Sequence, residues 1–300
     1  REHYLMYVKK RNNHFKIYNL MEQRTYLPLV SVITVCYNAT TVIEATILSI
    51  IGQTYSNIEY IIIDGGSTDG TIEVIKKYEK KISYWVSEPD KGIYDAMNKG
   101  IVKSTGEWIH FLNAGDVYLN THILEDCIRC FNEKKVKADV LYGDVICKFD
   151  FGNLLLKPGA LSDFESYFPI SHPATLVKGE LLKENIFDTS YQISADYELL
   201  YRLYHKGCTF EYIPIPLVLF DAITGISSTN PLLLYNENTR IQDNRHKIRK
   251  CIRIAIIKVR VLLSFIINGF LLNDYVRNNY HKKRLLRNKR FNEIDINNFI

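Results

Sequence analysis

Leu29-Val30-Ser31-Val32-Ile33-Thr34-Val35-Cys36 is a short, β-branched and almost continuously apolar run that stops at Tyr37-Asn38-Ala39. Such a run reads as a buried strand. Downstream, Thr40 or Thr41 is placed to cap a helix reaching about Gln53, with Val42, Ala45, Ile47, Leu48 and Ile51 at helical spacing. Ile58 to Asp64 reads as a second buried strand, and Gly65-Gly66-Ser67 turns the chain. Thr68 or Asp69 then caps a helix to about Lys80. A third strand is expected at Ile82 to Ser87, a third helix at Gly92 to Ser104, and a fourth strand at Trp108 to Leu112. A helix from about Asn120 to Glu133 and a strand at Asp139 to Tyr142 follow. Strand and helix alternate, which predicts an α/β fold: a parallel sheet covered on both faces, with right-handed crossovers.

The 300 residues are 47% hydrophobic and 24% charged, as in an ordinary globular protein with a sizeable core. The formal net charge of +5 is uneven. Residues from about Arg240 to Arg290 are rich in Lys and Arg, whereas the first two thirds are nearly balanced. The six cysteines have no disulfide-framework spacing. Cys127 and Cys130 form a C-x-x-C within a helical pattern that lacks a second ligand pair, so neither zinc nor redox chemistry is expected there. Arg1 to Tyr26 holds no apolar run of signal-peptide kind, and a reducing, cytoplasmic setting is expected.

In sheets of this type ligands bind beyond the carboxyl ends of the strands. The residues there are Asn38 after the first strand, Asp64 closing the second, Glu88 and Asp90 after the third, and Asn113 and Asp116 after the fourth. Carboxylates gathered at one edge are costly unless something cationic joins them. A divalent metal carrying a phosphate ester suits such a place.

The ordered motifs are V-S-V-I-T-V-C-Y-N-A from Val30, I-I-D-G-G-S-T-D-G-T from Ile62, S-E-P-D-K-G-I-Y-D-A-M-N-K-G from Ser87 and G-E-W-I-H-F-L-N-A-G-D from Gly106. Together they resemble the family-2 glycosyltransferases of the GT-A fold, particularly the bacterial polysaccharide and O-antigen branch. The resemblance continues more weakly through His172 to Val177 and Ser194 to Leu200, and stops near Phe220. It implies a Rossmann-like, nucleotide-diphospho-sugar-binding, mostly parallel sheet with helices on both faces. Beyond it, the chain's own pattern predicts a helical C-terminal extension, so the expected layout is an N-terminal extension at 1–27, a catalytic domain at 28–225 and a basic helical region at 226–300.

The resemblance also implies roles. Tyr37 and Asn38 line the nucleotide pocket, Asp64 contacts the nucleoside, and Asp90 and Lys91 lie near the base and phosphates. The second acid of the family's D-D-G-S motif is Gly65 here. Asn113-Ala114-Gly115-Asp116 occupies the D-x-D region, with Asn113 in place of its first acid, which makes Asp116 the better ligand for Mn²⁺ or Mg²⁺. Asp196 matches the general base of an inverting transfer from a nucleoside-diphosphate sugar to a glycan or lipid-linked acceptor.

Each candidate also has a plain structural reading. Asp116 can be a turn residue, Asp64 can hold the Gly65-Gly66 turn, and Asp196 can sit in the first turn of a helix over Ala195 to His205. Lys91 can be a solvated lysine. Asp95 and Asn98, on one helix, either bind the donor sugar or hold the local loop. His172 either reaches acceptor or phosphates or is structural. Glu198 points elsewhere than Asp196 and ranks below it. Trp108 reads as sheet packing.

Cys251 to Leu272 is largely apolar but carries Arg253, Lys258 and Arg260, and its uncharged part is too short to span a bilayer. It reads as an interfacial helix in peripheral contact with anionic lipid on the inner face of the membrane, or else as a helix packed on the domain. No nucleic-acid partner is expected, since the basic tail carries no aromatic-rich binding motif. Two other functions are weighed. A nucleotidyltransferase wants a Gly-rich basic loop after the first strand, and Tyr37-Asn38-Ala39-Thr40 has neither Gly nor a basic residue. A non-catalytic nucleotide-sugar-binding protein on a transferase scaffold is kept open by Gly65 and Asn113.

Overall fold

The computed structural model describes the main chain at 8–11 and 14–17, and residues 27–222, 230–242, 281–283, 285–296 and 299. The interfacial helix expected at 251–272 lies outside the described residues. Near the start, β1 (Val8–Arg11) and β2 (His14–Ile17) pair as an antiparallel hairpin.

The main body opens with β3 (Val30–Cys36), all seven residues of which are buried. Then come α1 (Ile43–Ile51), β4 (Ile58–Asp64), α2 (Thr71–Lys77), β5 (Tyr84–Ser87), α3 (Ile93–Lys103) and β6 (Trp108–Phe111). Strand β3 runs parallel to β4 and to β6, and β4 runs parallel to β5. The expected parallel sheet is therefore present in this half. Successive side chains point to opposite faces. Val30 and Val32 join one core with Ile43, Ile47 and Ile50 of α1 and Ile75 of α2. Ile33 and Val35 join the other with Met97 and Ile101 of α3. Burial on both faces is why the strand is apolar without alternation.

The second half is mixed rather than parallel. It contains β7 (Val117–Tyr118), α4 (Ile123–Lys134), β8 (Val140–Phe149), β9 (Gly152–Leu156), β10 (Thr175–Lys178), α5 (Gly179–Glu184), α6 (Ala195–His205) and β11 (Phe210–Asp221). Strand β10 is inserted between β6 and β8, antiparallel to both. Strand β8 extends well past the expected Tyr142 and bends back into β9. Strand β11 lies parallel to β8 with register shifts at Pro216, where a residue without an N–H interrupts the ladder. Helix α7 (Pro231–Ile241) follows, and β12 (Phe291–Glu293) adds an edge strand antiparallel to β9.

Small boundary differences have local causes. Helix α1 starts at Ile43, and neither Thr40 nor Thr41 caps it; its N-cap is Val42, without a side-chain bond. Helix α2 starts at Thr71, where the Asp69 carboxylate accepts the Thr71 N–H and hydroxyl. Glu79–Lys81 forms a 3₁₀ turn that delays β5 to Tyr84. Trp108 is fully buried and meets Phe131 edge-on at 5.6 Å, in the expected packing role. Cys36, Cys127, Cys130, Cys147 and Cys208 are free thiols. Burial pushes the Cys127 thiol up to about 12, far from reactive range. No described helix is long and apolar enough to cross a membrane.

Helix α3 crosses β3 closely because residue 100 is glycine. A Cβ at Gly100 would come within 2.5 Å of Ile33 Cγ2. In a helix interior Gly→Ala normally gains about 0.5–1 kcal/mol, but overpacking a core costs about 1–3 kcal/mol. Ile33 is fully buried and cannot swing away. Gly100→Ala is therefore expected to lower unfolding stability in urea by about 1 kcal/mol; a gain would show that the α3–β3 contact is looser than described.

Candidate functional site

The parallel strands β3, β4 and β5 end at one edge, and their last residues are tied together. Asp64, at the end of β4, has no exposed surface. Its carboxylate accepts the N–H groups of Gly66 (3.1 Å) and Ser67 (2.9 Å), the hydroxyls of Ser67 (2.5 Å) and Ser87 (2.6 Å), and the Cys36 thiol (3.4 Å). Burial works to raise its pKa, but the bonds from Ser67 and Ser87 outweigh it and hold the group below the usual carboxylate range. Ser67 also accepts the Asn38 N–H at 2.7 Å, and the Asn38 side chain accepts the Thr68 N–H at 3.0 Å. Asn38 is in the left-handed region at φ 48°, which Asn tolerates better than most residues. The Tyr37 ring beside it is 65% exposed, an apolar plane open to a ligand.

Asp90 reaches this loop from beyond β5. It accepts the Gly92 N–H at 2.8 Å, and a side chain at residue 65 would collide with its Oδ2 and touch the Tyr37 ring. Asp90 thus occupies the space into which a side chain at 65 would project, and it would have to turn aside to admit one. Lys91 is exposed. Asp95 accepts the Lys91 N–H at 3.0 Å. Asn98 donates to Phe187 O and accepts from Phe187 N, both at 2.9 Å. Both residues thus hold loops in the structure.

Past β6, Asn113 and Asp116 differ in what they offer. Asn113 Oδ1 is buried and has no hydrogen-bond partner among the described residues. Asp116 is 6% exposed. Burial pushes its carboxyl up to about 8; the N–H of Asp221 opposes that rise and the charge of Asp221 adds to it. Among the described residues no three His, Cys, Asp or Glu side chains gather as a metal cage. Asn113 and Asp116 belong to one turn, closed by the Asp116 N–H donating to Asn113 O at 3.0 Å. An amide oxygen and a carboxyl are a partial donor set, and a hard cation there would need its remaining oxygens from substrate phosphates and water.

Asp196 lies in the first turn of α6, partly buried. Burial raises its carboxyl to about 6 against the Tyr197 N–H (2.9 Å) and the Tyr94 hydroxyl (3.1 Å). Tyr94 belongs to α3, the helix that leaves the Asp90 loop, and its hydroxyl also meets Ile193 O at 2.5 Å. The Tyr94 ring lies 5.4 Å from that of Phe187. His172 meets Phe187 edge-on and stacks on Phe111 at 5.4 Å. Burial lowers the His172 imidazole to about 4, so it is neutral near pH 7. Glu198 is taken by Arg202. A separate depression of about 400 Å³, lined by residues such as Glu107, Lys178 and Lys183, lies at the other end of β6, away from this edge.

The model of Glycosyl transferase family 2 matches residues 31–154. An uncharacterized glycosyltransferase of Mycobacterium tuberculosis is 37% identical over 228 residues, covering 73% of this chain and 85% of that one. The chain belongs to glycosyltransferase family 2. A PGL/p-HBAD biosynthesis glycosyltransferase of Mycobacterium bovis is 27% identical, over 67% of this chain and 80% of its own. Among solved structures, S. aureus TarS 1-349 in complex with UDP has a TM-score of 0.55 at 19% identity, covering 71% of this chain and 64% of its own. The chain spans 38% of the longer TarS structure. The mannosyltransferase PcManGT from Pyrobaculum calidifontis, in complex with GDP-Man and Mn²⁺, has a TM-score of 0.54 at 15% identity over 87% of this chain and 86% of its own. These two likenesses establish the GT-A fold.

Reading the sequence missed the residues that organise this family-2 site from behind. Ser67, Ser87 and Tyr94 were inside quoted motifs but carried no assigned role, and Phe187 and Glu237 lie in stretches with no motif. Asp64 supplies a stability prediction. Its folded pKa is lowered, so its contribution is present above the unfolded value of about 3.9 and is lost as pH falls through the folded value. Asp64→Asn is expected to cost about 2–3 kcal/mol at pH 7. The gap to wild type should narrow below about pH 4 in denaturant titrations; a gap independent of pH would contradict a structural carboxylate.

Proposed function

We propose that this glycosyltransferase moves a sugar from a nucleoside-diphosphate sugar to an acceptor hydroxyl with inversion, using Asp196 as the general base. The observation that carries this reading is the hydrogen bond from Tyr94 to Asp196. It supports the reading because Tyr94 stands in the first turn of α3, the helix that leaves the Asp90 loop, and loops beyond strand ends are where α/β sheets bind ligands.

In the proposed reaction the acceptor hydroxyl gives its proton to Asp196, and its oxygen attacks the anomeric carbon. The bond from that carbon to the diphosphate oxygen breaks, and the nucleoside diphosphate leaves with the electron pair. Tyr37 and Asn38 would hold the nucleoside on the loop that Asp64 fixes. Asp90 and Lys91 would face the base and phosphates. Asn113 Oδ1 and Asp116 would hold Mn²⁺ or Mg²⁺, which when bound offsets charge on the leaving diphosphate. His172, being neutral, suits an acceptor hydroxyl better than a diphosphate. UDP, UDP-GlcNAc and GDP-Man in complexes of the structural neighbours support a nucleotide-sugar donor. The name of the mycobacterial relative, a PGL/p-HBAD biosynthesis glycosyltransferase, supports a biosynthetic transfer, and the acceptor proposed here is a glycan or a lipid-linked molecule. Such an acceptor agrees with a role in bacterial surface polysaccharide synthesis and with peripheral attachment through the basic C-terminal region, at the inner membrane face.

The base is tested directly. Asp196→Asn should lower kcat by at least about 100-fold while donor binding, followed by calorimetry, stays unchanged. In wild type, kcat should rise with pH through about 6 as Asp196 ionises. Near-normal turnover by the variant would remove the assignment.

A further inference from the structure

Helix α7 lies in the region expected to be separate from the catalytic domain, yet it packs on α6 and its Glu237 is only 7% exposed. Both carboxylate oxygens face the loop that enters α6. Oε1 accepts the N–H of Gln192 at 2.8 Å, and Oε2 accepts those of Ile193 and Ser194, each at 2.9 Å. Three consecutive main-chain N–H groups thus converge on one anion. Ser194 is the N-cap of α6 and makes no side-chain capping bond. Glu237 accepts the N-cap N–H and the two amides ahead of it, whereas the Tyr197 N–H inside the first turn goes to Asp196. No cation pairs with Glu237 among the described residues, and a buried carboxylate is costly unless such dipoles offset it.

The same face of α7 holds the rest of the loop. Arg240, three residues on, donates to Ser190 Oγ at 2.7 Å and lies over the Tyr191 ring at 4.1 Å. Gln242 donates to the Tyr197 hydroxyl at 3.0 Å. Asp196 therefore stands on a segment fixed from one side by Tyr94 of α3 and from the other by α7.

We propose that Glu237 is a positioning residue for the general base, setting where the Asp196 carboxylate stands by fixing the three amides ahead of it, so that residues 231–242 belong to the catalytic machinery. This rests on Asp196 being the base. The groups facing Asp196 are the Tyr94 hydroxyl from α3, the Glu237 carboxylate from α7 and the Tyr197 N–H of its own helix. The charge of Glu237 adds to burial in raising the Asp196 carboxyl, so removing it moves that carboxyl down.

The test uses full-length Glu237→Gln with whichever UDP-, GDP- or dTDP-sugar the wild type turns over. Misplacing a catalytic group costs up to about 100-fold, so kcat should fall by roughly 10- to 100-fold. Donor KM should hold within about twofold. The acid limb of kcat should move below its wild-type position, and Glu237→Asp, which keeps the charge, should recover part of the rate. An unchanged kcat overturns the proposal. So does a loss with an unmoved limb and no recovery by Glu237→Asp, since that is a merely structural role. If Glu237→Gln is unfolded by circular dichroism, Glu237→Asp, whose shorter side chain draws back from the three amides, serves instead; a fall in kcat at constant donor KM supports the clamp, and wild-type kcat overturns it. Asp196→Asn assayed in parallel separates the two ideas. Turnover by Asp196→Asn removes the base itself, whereas an inactive Asp196→Asn beside a normal Glu237→Gln removes the positioning role alone.

Discussion

The ligand edge of this molecule depends on one buried anion. Asp64 closes β4 and draws donors from its own turn, from β3 and from β5, so that three parallel strands end in a single hydrogen-bonded knot. A carboxylate with no exposed surface is tolerable because every direction of approach ends in a donor. Once Ser67 is fixed by Asp64, the position of Asn38 is fixed by Ser67, and the Tyr37 ring is left facing outward. The loops proposed to hold the nucleotide are thus fixed by the fold itself, which is what positioning catalysis would require.

The surroundings of Asp196 are built by another device. Asp196 sits where α6 begins, and its neighbours come from distant parts of the chain: Tyr94 from α3 and Glu237 from α7. Phe187, clamped by Asn98, packs against Tyr94 and His172. These contacts join the helix behind the Asp90 loop to α7. A shift in any of the three would move the carboxylate.

The parallel half of the sheet was legible because its strands are buried on both faces and its helices bury one stripe, patterns that survive in sequence. The antiparallel insertion of β10 was not legible: Thr175-Leu176-Val177 is too short for a periodicity, and strand direction is set by pairing with Trp108 to His110 and with Val140 to Tyr142. Asp64 and Asp196 could be picked out because strand ends and motifs mark them. What sequence reading could not see was which chemistry each carboxylate is free to do. The donors that occupy Asp64, the burial of Asp116 and the grip of Glu237 on Ser194 all arise from contacts tens of residues apart. Gly65 looked like a lost acid, and only the fold places Asp90 in that space.

The most direct test of the account is donor turnover by the purified full-length protein. UDP-, GDP- and dTDP-sugars would be supplied in turn with Mn²⁺, nucleoside diphosphate release would be followed, and EDTA would serve as the control. The account predicts release from one nucleotide class, abolished by EDTA and restored by added Mn²⁺. No release and no thermal stabilisation with any of these donors, in protein shown to be folded, would contradict it and favour a non-catalytic scaffold.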